Sequence, residues 1–122
     1  MNILLVGIGG FLGAASRYAV GGWVHKWLDS PWFPYGTLTV NILGCFLIGV
    51  LAGFAETRQF LTAEMRLLTM VGFLGGFTTF STFGYESVSL LRDGQFLGIF
   101  WNIALHLSLG LLAVWLGLNL TR

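Results

Sequence analysis

The stretch Gly72-Phe73-Leu74-Gly75-Gly76-Phe77-Thr78-Thr79-Phe80-Ser81-Thr82-Phe83-Gly84 decides how the rest of the chain is read. It lies inside an uncharged run from Leu67 to Tyr85. A run of that length suits a membrane-spanning helix, which needs about 20 residues, with a range of roughly 17 to 25. Two adjacent glycines followed by two β-branched threonines weaken a helix locally. A break here would free backbone carbonyls near the middle of the membrane. Free carbonyls are tolerated in hydrocarbon only where protein buries them or an ion or water satisfies them. A midplane break therefore points to an ion site. The same residues also fit a continuous, glycine-rich packing helix.

Three further uncharged runs flank this one. Met1 to Ser16 is closed by Arg17, with apolar residues continuing to Val24; Gly36 to Ala55 and Gly94 to Thr121 are the others. The expected spans are residues 2–24, 36–56, 66–91 and 95–120, an all-α integral membrane chain with a single transmembrane domain over 1–122. Composition agrees. Hydrophobic residues make up 56% of the 122 and charged residues 9%, against about 25% charged in a soluble domain. Mean hydropathy is +0.82. Nothing resembles a cleavable leader, so the first run reads as a retained helix.

The connections are short. His25 to Tyr35 holds Pro31, Pro34 and the Asp29-Ser30 pair, all helix breakers. Trp23, Trp27, Trp32 and Tyr35 cluster there, as an interfacial aromatic belt would. Glu56 to Arg66 is the second connection, and Arg92-Asp93-Gly94 the third. An even number of spans puts both termini on one side, with Arg58, Arg66 and Arg122. Lys26 and Arg92 lie on the other, joined by Arg17 if it reaches the interface. That near balance leaves the positive-inside rule almost nothing to act on. Insertion in both directions follows, and with it an antiparallel homodimer; the alternative is that a small bias still fixes one topology. The pairs Gly9/Gly13, Gly49/Gly53 and Gly72/Gly76 allow close helix approach in lipid. Four helices alone fill their own centre, so a conduit calls for assembly.

Candidate site residues fall on a few faces. Phe80 and Phe83 are three apart; Thr78, Thr82 and Glu86 are four apart and share another face. Phenyl edges carry partial positive charge and hydroxyls donate hydrogen bonds, so the two rows together suit an anion path. Thr37 and Asn41 form a polar pair in the second span, where Asn41 offers two N–H donors or an interhelical bond. Asn102, His106 and Gly110 form a row in the fourth, where His106 lines a polar path or bonds a neighbouring helix. Arg17 and Glu86 are the charges at risk of burial, candidates for function or for snorkelling to the interface. Net charge +1 gives no nucleic-acid footprint. The lone Cys45 reads as apolar packing. No zinc-ligand spacing, phosphate-binding loop or nucleophile–base–acid arrangement appears, so no enzyme is expected.

These motifs resemble the Fluc (CrcB) family of bacterial fluoride channels. The resemblance runs through Gly9-Gly10-Phe11-Leu12-Gly13-Ala14 to Arg17-Tyr18, then Gly36-Thr37-Leu38-Thr39-Val40-Asn41 with Gly44 and Gly49. Its strongest piece is Gly75-Gly76-Phe77-Thr78-Thr79-Phe80-Ser81-Thr82-Phe83. It implies an antiparallel dual-topology homodimer in the bacterial inner membrane, with two fluoride pores and passive export of fluoride from the cytoplasm. It implies a structural sodium ion at the dimer centre, held by backbone carbonyls of Gly75 and Thr78. By the same resemblance Asn41, Phe80 and Phe83 line the pore. Ser81, Thr82, Thr37, Glu86, His106 and Arg17 lie along or near it. Gly110 stands where some relatives carry serine. A small dual-topology proton-coupled exporter is the competing expectation, but residues 1–24 lack the first-helix carboxylate such exporters carry.

Overall fold

Four helical passages, each long and apolar enough to cross a membrane, make up a computed structural model that describes residues 1–30, 32–57 and 61–122. Pro31 and Arg58, used above as a helix breaker and in the charge comparison, lie outside the described residues.

Helix α1 spans Asn2–Leu28, a full turn beyond the expected Val24. No glycine or proline interrupts residues 23–28, and His25 and Lys26 in the last turn complement the negative helix end. The stop comes at Asp29, whose backbone is left-handed (φ 47°, ψ 45°) while its N–H donates to the His25 carbonyl at 3.0 Å. Helix α2 spans Tyr35–Thr57 and starts directly after Pro34, whose carbonyl accepts from the Leu38 N–H.

The third passage is composite. Thr62 caps α3 (Ala63–Arg66) by accepting from the Met65 N–H. A π-helix, Leu67–Leu74, follows, then α4 (Gly75–Phe77). Thr78 and Thr79 are extended, and α5 runs Phe80–Arg92. Helix α6 (Phe96–Thr121) completes the chain after a turn in which Gly94 takes φ 74°. A sustained π-helix is rare, and nothing in the hydrophobic pattern announced it.

Helix α2 packs chiefly along α6, and α1 along the π-helix and α4. The small-residue pairs sit at these crossings. A Cβ on Gly13 would strike the Phe73 carbonyl, and one on Gly117 would lie 2.8 Å from the Val50 nitrogen. The α1–α2 and α5–α6 corners share one end, where the Trp32 ring lies over Gly98. Trp23 and Trp27 are largely exposed at that end. Ile3, Phe11, Leu97, Leu111 and Leu120 are also mostly exposed along the shafts. Water would penalise such a surface, whereas hydrocarbon satisfies it.

Candidate functional site

The site begins where helical hydrogen bonding stops. Thr78 (φ −93°, ψ 158°) and Thr79 (φ −149°, ψ 113°) are extended. In a continuous helix the Thr79 N–H would donate to the Gly75 carbonyl, four residues back, and the Thr82 N–H to the Thr78 carbonyl. Both N–H groups go elsewhere. The Thr79 N–H donates to Asn41 Oδ1 at 2.8 Å. The Thr82 N–H donates to Thr79 Oγ1 at 3.2 Å, which makes Thr79 the N-cap of α5. The carbonyls of Gly75 and Thr78 thereby lose their regular helical partners. The Gly76 carbonyl between them is occupied by Arg17, whose Nε donates to it at 2.9 Å. Gly75 is exposed, with open space where a Cβ would stand. Main-chain oxygens suit a hard monovalent or divalent cation, so the donor chemistry at Gly75 and Thr78 fits sodium.

Asn41, almost fully buried, holds the extended segment from the side of α2. Its Nδ2 donates to the Thr79 carbonyl at 3.0 Å while its Oδ1 accepts from the Thr79 N–H. The amide thus pairs with one residue's backbone as a neighbouring β-strand would. Nδ2 also lies 3.0 Å from His106 Nε2. His106 Nδ1 lies 2.9 Å from the Asn102 carbonyl. The His106 ring packs on Phe83, centroids 4.3 Å apart, and Phe83 on Phe80, centroids 5.5 Å apart and tilted by 48°.

Two spaces meet at this point. An open, partly polar cavity of about 950 Å³ lies at the aromatic end, bordered by Arg17, Lys26, Thr37, Thr79, Thr82 and Glu86. A more apolar groove of about 420 Å³ is bordered by Asn41, Gly75, Thr78, Phe80, Phe83 and His106. Thr79 borders both. Its hydroxyl donates to Thr82 Oγ1 at 3.0 Å and lies 3.4 Å from Ser81 Oγ. Three hydroxyls therefore cluster around Thr79, the residue that the two spaces share.

The candidate residues divide between them. Thr37 and Glu86 face the polar cavity, where the Thr37 side chain lies against the carboxylate and Glu86 Oε1 is buried with no protein hydrogen-bond partner among the described residues. Arg17 also borders this cavity while its Nε donates to the Gly76 carbonyl. Ser81 is exposed, and Phe80 is 81% exposed on the outer surface of the single chain. One expectation fails. Thr78 does not continue the Thr82–Glu86 row: it borders the groove and not the polar cavity, because its extended backbone takes it out of the phase of α5. Asn41 Nδ2 is also engaged within the protein, donating to the Thr79 carbonyl and lying 3.0 Å from His106 Nε2. The spacing of Thr37 and Asn41 left that alternative open.

Sequence reasoning missed the weight carried by Thr79 and Asn102. The first had a signal, since threonine immediately before a helix is a favoured N-cap. Asn102 is wholly buried; its Nδ2 donates to Ser87 Oγ at 3.0 Å, and Ser87 donates to the Phe83 carbonyl at 2.8 Å. A polar residue in an apolar span marked it only as a member of a row.

Residues 4–118 match the family model described as CrcB-like protein, Camphor Resistance (CrcB). The chain is 41% identical over 122 residues to a fluoride-specific ion channel FluC of Geobacter metallireducens, covering 100% of this chain and 98% of that one. It is 45% identical over 121 residues to the protein of the same name from Chloroflexus aurantiacus, covering 99% and 95%. It is 44% identical over 116 residues to fluoride-specific ion channel FluC 3 of Methanosarcina barkeri, covering 95% and 86%.

Proposed function

The chain belongs to the CrcB family, and from that membership we propose that it is a fluoride-selective channel that lets fluoride leave the cytoplasm passively through the inner membrane. It is a multi-pass membrane protein of a channel family and not an enzyme. The working unit is an antiparallel pair of identical chains with two pores.

The observation that carries this reading is the position of Thr79, which borders both the polar cavity and the phenylalanine-lined groove. Fluoride is small and strongly hydrated, so a pore must replace its water with donors. The polar cavity is bordered by the Arg17 and Lys26 cations and by the hydroxyl residues Thr37, Thr79 and Thr82. The hydroxyls of Thr79, Ser81 and Thr82 can turn toward an anion at the junction. Beyond it, Phe80 and Phe83 offer ring edges of partial positive charge. Each site is weak, so an ion that enters can also leave. Thr37 and Glu86 continue a polar row on the cavity side.

The exposed Phe80 and the open groove of one chain suit closure by a second copy. A structural sodium ion between the two copies would be held by the Gly75 and Thr78 carbonyls of each. Bound there, it would offset the cost of bringing an anion into hydrocarbon. Asn41 keeps the Thr79 N–H away from the Gly75 carbonyl, and Arg17 occupies Gly76, leaving that oxygen set defined.

Purified protein in liposomes tests the function. Rapid fluoride efflux with little chloride efflux supports it, and equal or absent efflux of both ions rejects it.

A further inference from the structure

We propose that His106 is a positioning residue that acts through Asn41: as a neutral imidazole in the Nδ1–H form, it accepts one Asn41 proton and so fixes which way the Asn41 amide grips Thr79. This deepens the channel reading and assigns His106 a task other than contact with the ion.

Two groups at the ends of this chain of contacts cannot change roles. At one end is the Asn102 main-chain carbonyl, an acceptor only. His106 Nδ1 lies 2.9 Å from it and must therefore carry a proton. At the other end is the backbone of Thr79, whose N–H only donates and whose carbonyl only accepts. Asn41 must present Oδ1 to the first and Nδ2 to the second, as it does at 2.8 and 3.0 Å. The second Nδ2 proton then points at His106 Nε2, 3.0 Å away. That nitrogen must be a bare acceptor, or two donors would face each other. Tautomer and charge state, ordinarily assigned by choice, are here forced from both ends.

The consequence is a coupled pair of states. If His106 carried its proton on Nε2, Asn41 would have to turn its oxygen toward the ring. Both pairings with Thr79 would then set donor against donor and acceptor against acceptor. The chain from Asn102 to Thr79 is therefore one device, built from α6, α2 and the extended segment, with Phe83 packed on its imidazole. Its buried bonds are strong in combination because few alternatives exist for any member.

The test is nitrogen NMR of full-length protein labelled at histidine and embedded in lipid. The chain has two histidines, and the spectrum of His106→Phe identifies which signal is His106. The expected signature is a protonated Nδ1 with a bare Nε2, and an Nε2 signal that moves in Asn41→Ala. An Nε2–H tautomer, an imidazolium, or an Nε2 signal indifferent to Asn41→Ala overturns the proposal. A second arm measures fluoride efflux. His106→Phe lowers it about tenfold, and the double variant with Asn41→Ala falls no further than Asn41→Ala alone, as coupled residues require. Multiplicative losses overturn the proposal by showing that the two act independently. The efflux arm rests on the fluoride-channel reading; the spectroscopic arm stands without it.

Discussion

The side-chain amide of Asn41 makes both a donor and an acceptor bond to the main chain of one residue, Thr79, at 3.0 and 2.8 Å. A helix that loses its own ladder at two residues is thus supplied with a substitute partner from α2. The extended segment is held by a specific contact, which makes it a target for substitution.

Asn41→Asp removes the donor to the Thr79 carbonyl and sets oxygen against oxygen. A buried acceptor left unsatisfied costs about 1–3 kcal/mol. Fluoride efflux from liposomes should fall by about tenfold or more. Efflux at the wild-type level would remove Asn41 from the conduction machinery.

Phe80→Ile and Phe83→Ile keep bulk and hydrophobicity but remove the ring edges. Each should cut fluoride efflux by about tenfold or more, a loss of about 1.4 kcal/mol of transition-state stabilisation. The elution volume in size-exclusion chromatography should stay unchanged. Unaltered efflux in both variants would refute the ring-edge role.

Thr79→Val preserves shape and removes the hydroxyl that caps α5 at the Thr82 N–H. Loss of an N-cap costs about 0.5–2 kcal/mol. Thermal unfolding in detergent should shift downward, and efflux should fall because the hydroxyl also stands at the meeting of cavity and groove. Thr79→Ser should retain both properties. Equal behaviour of Val and Ser would show that the hydroxyl has neither task.

Gly13→Val places a side chain against the Phe73 carbonyl. Overpacking of this kind typically costs about 1–3 kcal/mol. Gly22→Ala, at a helical glycine with nothing within 4 Å of its Cβ position, serves as the control and should not lower the unfolding temperature. A tolerated Gly13→Val would mean that α1 and the π-helix have room to separate.

The four spans were legible because hydrocarbon imposes a length and excludes charge, and few other constraints compete with those two. The close crossings were legible from Gly9/Gly13 and Gly49/Gly53 for a related reason: small residues have few other uses in an apolar run. The end of α1 was placed early because Arg17 and His25 looked like boundaries. Arg17 instead finds a carbonyl at Gly76 and stays within the helix. Burial of Asn102, the hub at Asn41 and the diverted N–H of Thr79 depend on which helix faces which. Sequence spacing along one helix carries no record of that. Thr78 shows the limit most directly, since an i, i+4 row assumes regular α geometry across residues where the backbone is extended.

The wide turns of Leu67–Leu74 add a consequence of their own. A π-helix fits more residues into each revolution, so every side chain beyond it is dialled to a new bearing. Gly75 and Gly76 owe their aim to that offset. Winding the same eight residues as an ordinary coil would swing the glycines onto different neighbours, even though hydropathy along the chain would not change. Anyone transplanting this segment into another scaffold must copy its winding along with its composition.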